Sequence, residues 1–160
     1  MPNLFNAAEI IDMGIEKEKK RRDFYGMVAE KFSKDKEMKE LFTNLQSWEE
    51  THIKKFSDIR DGIKEPEATS SYPGEITEYI KAMIDDTLYR EVSPEFFSKN
   101  IKDPLTAIQY GIGFEKDAIL FFRELIPLSS QADKGKIEKL IDEEKEHLVY
   151  LTKLKRDKRS

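Results

Sequence analysis

Leu45-Gln46-Ser47-Trp48-Glu49-Glu50-Thr51-His52-Ile53-Lys54-Lys55-Phe56 carries one of only two histidines in a chain of 160 residues. The stretch has helical periodicity. Glu49 and His52 stand three positions apart, so both side chains leave one face of that helix. Phe42, Leu45, Phe56 and Ile59 fall on the same face, which is the apolar one. A carboxylate and an imidazole aimed into a hydrophobic interior are each costly without a partner. The rest of the chain has to supply it.

The helix that holds this stretch starts at Ser33 or Asp35 and ends near Asp61-Gly62. Ahead of it, Asn6 is a good N-cap for a helix from Ala7 to about Phe32, a span without proline. Ile11, Glu18, Tyr25 and Phe32 recur there at seven-residue spacing, with Ile15 and Val28 in the same stripe. This is a bundle-facing seam with one acid in its middle. Gly14, one turn before that acid, gives room for a neighbouring helix to come close. The short joint between the two helices makes them antiparallel neighbours.

Residues 63–102 differ in character. Pro66, Ser70-Ser71-Tyr72-Pro73-Gly74 and Ser93-Pro94 punctuate them, around a helical segment from Ile76 to Tyr89. Such a length reads as a crossover connection with its own short helix, so that the next long helix starts at the far end of the bundle. Asp103-Pro104 is a strong helix start, and the third long helix runs to about Leu125. Its seam is Ile108, Ile112, Glu115 and Phe122, again with one acid. A fourth helix spans roughly Asp133 to Lys155, with Ile137, Leu140, Glu144, His147, Leu151 and Leu154 on its seam. The basic end, Lys153 to Arg159, suits a helix C-terminus with a frayed tail.

These helices repeat. Shifted by 97 positions, Ile11, Gly14-Ile15, Glu18-Lys19 and Phe24-Tyr25 fall on Ile108, Gly111-Ile112, Glu115-Lys116 and Phe121-Phe122. Shifted by 95, Leu45, Glu49, His52 and Phe56 fall on Leu140, Glu144, His147 and Leu151. Two helix pairs therefore carry one pattern, a lone Glu on the first helix and Glu-x-x-His on the second.

Charge then dictates the chemistry. Glu18, Glu49, Glu115 and Glu144 bring four negative charges to one level of a core, beside the neutral imidazoles of His52 and His147. The seams hold too little positive charge to balance them, Arg22 being the one nearby candidate. Two divalent cations cancel the charge, with two carboxylates bridging them. Oxygen-rich sites with one imidazole per metal suit iron or manganese, and zinc also binds such donors. Glu50, Glu143 and Glu146 point off the seam onto a solvated face, and Glu16 yields to Glu18 on phase. Tyr25, one heptad after Glu18, reads as core first. Its hydroxyl could also donate near the metals or act as a redox-active phenol, whereas its repeat mate Phe122 has none. Trp48 reads as a packing residue, and Met13, Met27, Met38 and Met83 as gap-fillers.

Composition narrows the remaining classes. The absence of cysteine removes disulfides, thiolate chemistry, iron–sulfur clusters and zinc knuckles together. A net charge of −4 argues against a nucleic-acid partner. No signal-like region and no run approaching a membrane span are present, so a soluble cytoplasmic protein without a membrane partner is expected. The length suits one domain, residues 1–160.

Four motifs carry a family resemblance: Gly-Ile-Glu-Lys-Glu-x5-Phe-Tyr around Glu18, Trp-Glu-Glu-Thr-His around His52, Gly-Ile-Gly-Phe-Glu-Lys-Asp-Ala around Glu115, and Asp-Glu-Glu-Lys-Glu-His around His147. Together they resemble the rubrerythrin branch of the ferritin-like superfamily, over the four long helices. A Glu from each of two helices with Glu-x-x-His from the other two is the ligand pattern of such bundles. The resemblance implies an all-α, antiparallel, left-handed four-helix bundle with a crossover, often a homodimer, with two iron ions that react with hydrogen peroxide or dioxygen. Glu49 and Glu144 would bridge the ions, Glu18 and Glu115 would be terminal, and His52 and His147 would hold one ion each.

Two departures accompany it. The additional glutamate that rubrerythrins usually carry three residues after the third-helix ligand is Ala118 here, and no cysteine-bound iron domain is present. Electrons would then come from an external donor protein, as in a stripped-down, erythrin-type oxidoreductase. The alternatives are an iron-binding, ferroxidase or storage protein, and a structural metal-bound bundle without enzymatic turnover. For the dimer, the segment Ile76 to Tyr89 is the candidate interface.

Overall fold

The computed structural model of the protein describes residues 7–62, 78–79, 82 and 92–160. Its elements are α1 (Ala7–Lys31), α2 (Lys36–Asp61), α3 (Pro94–Asn100), α4 (Pro104–Leu125), a 3-10 turn (Ile126–Leu128) and α5 (Gln131–Arg159). No strand occurs among the described residues.

Each boundary has a local cause. Asp35 opens α2 by accepting the Met38 amide, and Asp103 does the same for Thr106 with Pro104 in the first turn of α4. The fourth long helix begins at Gln131 rather than Asp133, because Ser130 caps it and Asp133 lies in its first turn. It also continues to Arg159 where a frayed tail was expected. Leu154 is buried, and the Lys158 Nζ donates to Asp35 Oδ2 at 2.6 Å, tying the last turn to the α1–α2 joint. Helix α3 was not anticipated. Its signal is Ser93-Pro94-Glu95, a cap, a proline and a first-turn acid, in which the proline taken alone reads as punctuation. The Asn6 cap and the helix from Ile76 to Tyr89 lie outside the described residues, apart from Glu78, Tyr79 and Ala82, which are helical and exposed.

Side-chain contacts give the topology. Arg60 pairs with Asp12 and Arg22 with Glu50, so α1 and α2 are antiparallel. Lys17 meets Asp117 and Tyr25 meets Gly111, so α1 and α4 are antiparallel too. Trp48 and His52 face His147 and Glu143 while Lys158 reaches Asp35, which makes α2 and α5 antiparallel as well. The directions are therefore up, down, down, up. Helices α2 and α4 run the same way, so α2 ends and α4 begins at opposite ends of the bundle.

Two apolar layers fill the interior. One holds Phe24, Val28, Met38, Phe42, Phe97, Ile108, Phe114 and Leu154, and the other Ile10, Ile11, Phe56, Phe121, Phe122, Leu125 and Ile137. Gly14 and Gly111, which are repeat mates, let the helices close around the level between these layers. A Cβ on Gly14 would stand 2.9 Å from Phe121 Cε1, and one on Gly111 would meet Leu151 at 3.3 Å and Tyr25 at 3.5 Å. Between the layers lies the polar level.

Candidate metal centre

Glu18 from α1, Glu49 and His52 from α2, Glu115 from α4, and Glu144 and His147 from α5 converge at that level. The four glutamates are fully buried, and the histidines are 2 % and 3 % exposed. Donor atoms of Glu18, Glu49, His52 and Glu144 all lie within 4.8 Å of one another, as do those of Glu49, Glu115, Glu144 and His147. Glu49 and Glu144 belong to both groups. Each divides its oxygens between them. Glu49 Oε2 and Glu144 Oε1 face Nδ1 of His52, while Glu49 Oε1 and Glu144 Oε2 face Nδ1 of His147 at 3.5 and 3.2 Å.

The donor set fits a hard or borderline cation. At least one buried oxygen on each glutamate has no hydrogen-bond partner of acceptable geometry, which is expensive unless a cation is shared among them. The protonation pattern shows the same crowding. Burial, reinforced by the neighbouring Glu49 charge, pushes Glu18 well above the usual carboxylate range. Burial and the adjoining Glu144 do the same to Glu115. Against burial, Arg21 and contacts with Glu18 and both imidazoles pull Glu49 well below that range. Burial disfavours charged imidazoles, yet hydrogen bonds to Glu144 and Glu49 raise His52 to about 11. Those to Glu115, Glu144 and Glu49 raise His147 to about 12.

The flanking groups correct two sequence readings and give a third its partner. The cation in the cluster is Arg21, not Arg22. Arg21 lies three residues after Glu18 and so stays on the seam, 1 % exposed, whereas Arg22 turns outward to Asp23 and Glu50. Glu143 is not simply a solvated acid, because its Oε2 lies 2.8 Å from His52 Nε2 and fixes the ring with Nδ1 inward. Trp48 does pack, but its ring stacks on His147 at 4.9 Å and 11°. A shift of 95 relates Trp48 to Glu143. Repeat mates thus each support the other half's histidine, one by stacking and one by a hydrogen bond.

Tyr25 is fully buried and donates to Glu115 Oε1 at 2.6 Å, with burial and the Glu115 charge holding its phenol protonated. A cleft of about 260 Å³, lined by Trp48, Thr51, His52, Lys55, Glu143, Glu146, His147 and Tyr150, reaches the histidine side of the cluster. Glu16 is exposed, as its phase requires. No helix among the described residues is long and apolar enough to cross a membrane.

No family model and no curated protein matches the sequence. Among solved structures, the chain is similar to a crystal structure from Thermotoga maritima, with a TM-score of 0.73, 23 % identity and 99 % of each chain covered. That protein is provisionally described as a ferritin-like diiron-carboxylate protein. The fold is the ferritin-like helical bundle, and its core holds a carboxylate–histidine cluster able to take a metal ion.

Proposed function

We propose that this protein is a rubrerythrin-like di-metal carboxylate oxidoreductase that reduces hydrogen peroxide or dioxygen with electrons from an external donor protein. Iron is the proposed metal, with manganese or zinc as substitutes, and a cytoplasmic homodimer is the proposed form. The observation that carries the reading is the pair of overlapping donor groups that share Glu49 and Glu144, one oxygen to each side. In this reading Glu18, Glu49, His52, Glu115, Glu144 and His147 would hold the ions, with Glu49 and Glu144 common to both donor groups. Redox-active ions held by these residues would supply the two electrons that, with two protons, take peroxide to water, and the external donor would restore them.

The chain's own residues do the positioning. Tyr25 holds Glu115 by donating its hydroxyl to Oε1, Glu143 orients His52, and Trp48 covers one face of His147. The cleft beside the histidines admits a molecule of peroxide size. Anaerobic stopped-flow mixing of the reduced, metal-loaded protein with peroxide tests the activity. Oxidation faster than that of free ferrous ion is expected, and an equal rate rules out the oxidoreductase.

Tyr25→Phe removes only the hydroxyl, at a place where the repeat mate is already Phe122. It is expected to leave helix content unchanged and to weaken metal binding by about 10–100-fold, the usual cost of losing a partner behind a ligand. Titration followed by equilibrium dialysis measures this.

Glu143 and Glu146 on the cleft wall also suit the passage of a cation, which favours ferroxidation as a second reading. A hollow multi-subunit shell by light scattering would support it, whereas a dimer retaining at most two ions would count against storage.

A further inference from the structure

Arg21 carries a consequence for how the centre fills. Its Nη2 contacts Glu18 Oε1, lies 3.2 Å from Glu49 Oε2 and 3.7 Å from Glu144 Oε1. These are donors from three of the four members of the His52 group, and they are the oxygens of Glu49 and Glu144 turned toward His52. The other oxygens of those two residues face His147. Nη1 is fixed on the carbonyl of Phe114 at 3.4 Å, so the guanidinium is held from behind as well.

We infer that Arg21 is a resident cation in the His52 half of the centre, so that one metal ion loads first, at Glu49, Glu115, Glu144 and His147, and a second enters only when Arg21 is displaced. The inference rests on the metal-centre reading above and adds an order of filling to it. The repeat supports it independently. A shift of 97 relates Arg21 to Ala118, which is buried beside Glu115 and brings no charge to the His147 half. A guanidinium and a divalent ion repel each other, and in a dry interior that repulsion is strong. Each also needs the same three carboxylates. The two halves are therefore alike in ligands and unlike in the cation already among them.

The test is an anaerobic titration of the full chain with Mn(II), read by equilibrium dialysis and by the electron paramagnetic resonance of the bound ion. Wild-type protein is expected to hold one ion tightly and a second at least about tenfold more weakly. Arg21→Gln is expected to bring the second ion close to the first and to replace the isolated-ion spectrum with that of a coupled pair. Two ions of equal affinity in the wild type, or an unchanged second ion in Arg21→Gln, overturn the inference while leaving a two-metal centre standing. No tight ion in either protein overturns the metal centre itself. Two further variants decide the matter if Arg21→Gln does not fold. With Arg21 present, Glu115→Gln should lose the first ion and Glu18→Gln should keep it, and the reverse pattern overturns the assignment.

Discussion

Glu144→Ala combined with His147→Ala should abolish tight metal binding while the metal-free bundle stays folded. Glu144 belongs to both donor groups and His147 supplies the only imidazole of one, so both places lose ligands. The loss should exceed the about 10–100-fold that follows from removing a mere supporting partner. Stability is governed by two opposing terms. Truncation leaves a cavity, which is unfavourable. It also removes a carboxylate and an imidazole from a level where four acids crowd together, and deleting buried polar groups is often neutral or favourable once their partners remain satisfied. Arg21 keeps Glu18 and Glu49, and His52 keeps Glu49 and Glu143. The metal-free variant should therefore lie within about 2 kcal/mol of its parent in urea unfolding. A much larger loss would show that the cluster holds the bundle together without metal.

Metal loading should also release protons and strengthen as pH rises. In the metal-free chain hydrogen bonds to Glu115, Glu144 and Glu49 raise His147 to about 12, so its imidazole carries a proton near pH 7, and burial raises Glu115 as well. A metal ligand has to be a neutral imidazole or a carboxylate, so the first ion displaces at least the imidazole proton. His52, raised to about 11, gives up its proton to the second ion in the same way. The sign follows: each displaced proton makes affinity climb about tenfold per pH unit below the pKa of the group concerned. Titrations in two buffers of different ionisation enthalpy count the protons. Affinity flat between pH 6 and 8 would contradict the raised imidazoles of His52 and His147 and, with them, the crowding of charge in the metal-free centre.

The repeat made the centre legible before any coordinates. Seven-residue spacing set the phase of Glu18 and Glu115, and Glu-x-x-His set that of the other four residues, so all six were found at one level. Supporting groups were legible only in part. Arg21 was missed because three basic residues adjoin it, Lys19, Lys20 and Arg22, and a basic run looks like a solvated face. Its three-residue step from Glu18, the same step that links Glu49 to His52, was the available signal. Glu143 was assigned to solvent because its Cβ leaves the seam, yet a long side chain reaches across to the next helix. Helix α3 escaped notice because a proline that opens a helix also reads as one that breaks a chain. In each case the missing information was which neighbour lies across the gap, and that depends on how helices pair rather than on any single helix.

The sharing of Glu49 and Glu144 gives the centre a mechanical meaning. Each group takes three of its residues from one helical hairpin and borrows the fourth from the other. Neither hairpin owns a complete coordination set. An ion held there would be a rivet between the two halves of the chain, so metal loading should hold the hairpins together more firmly than it stiffens either helix pair alone.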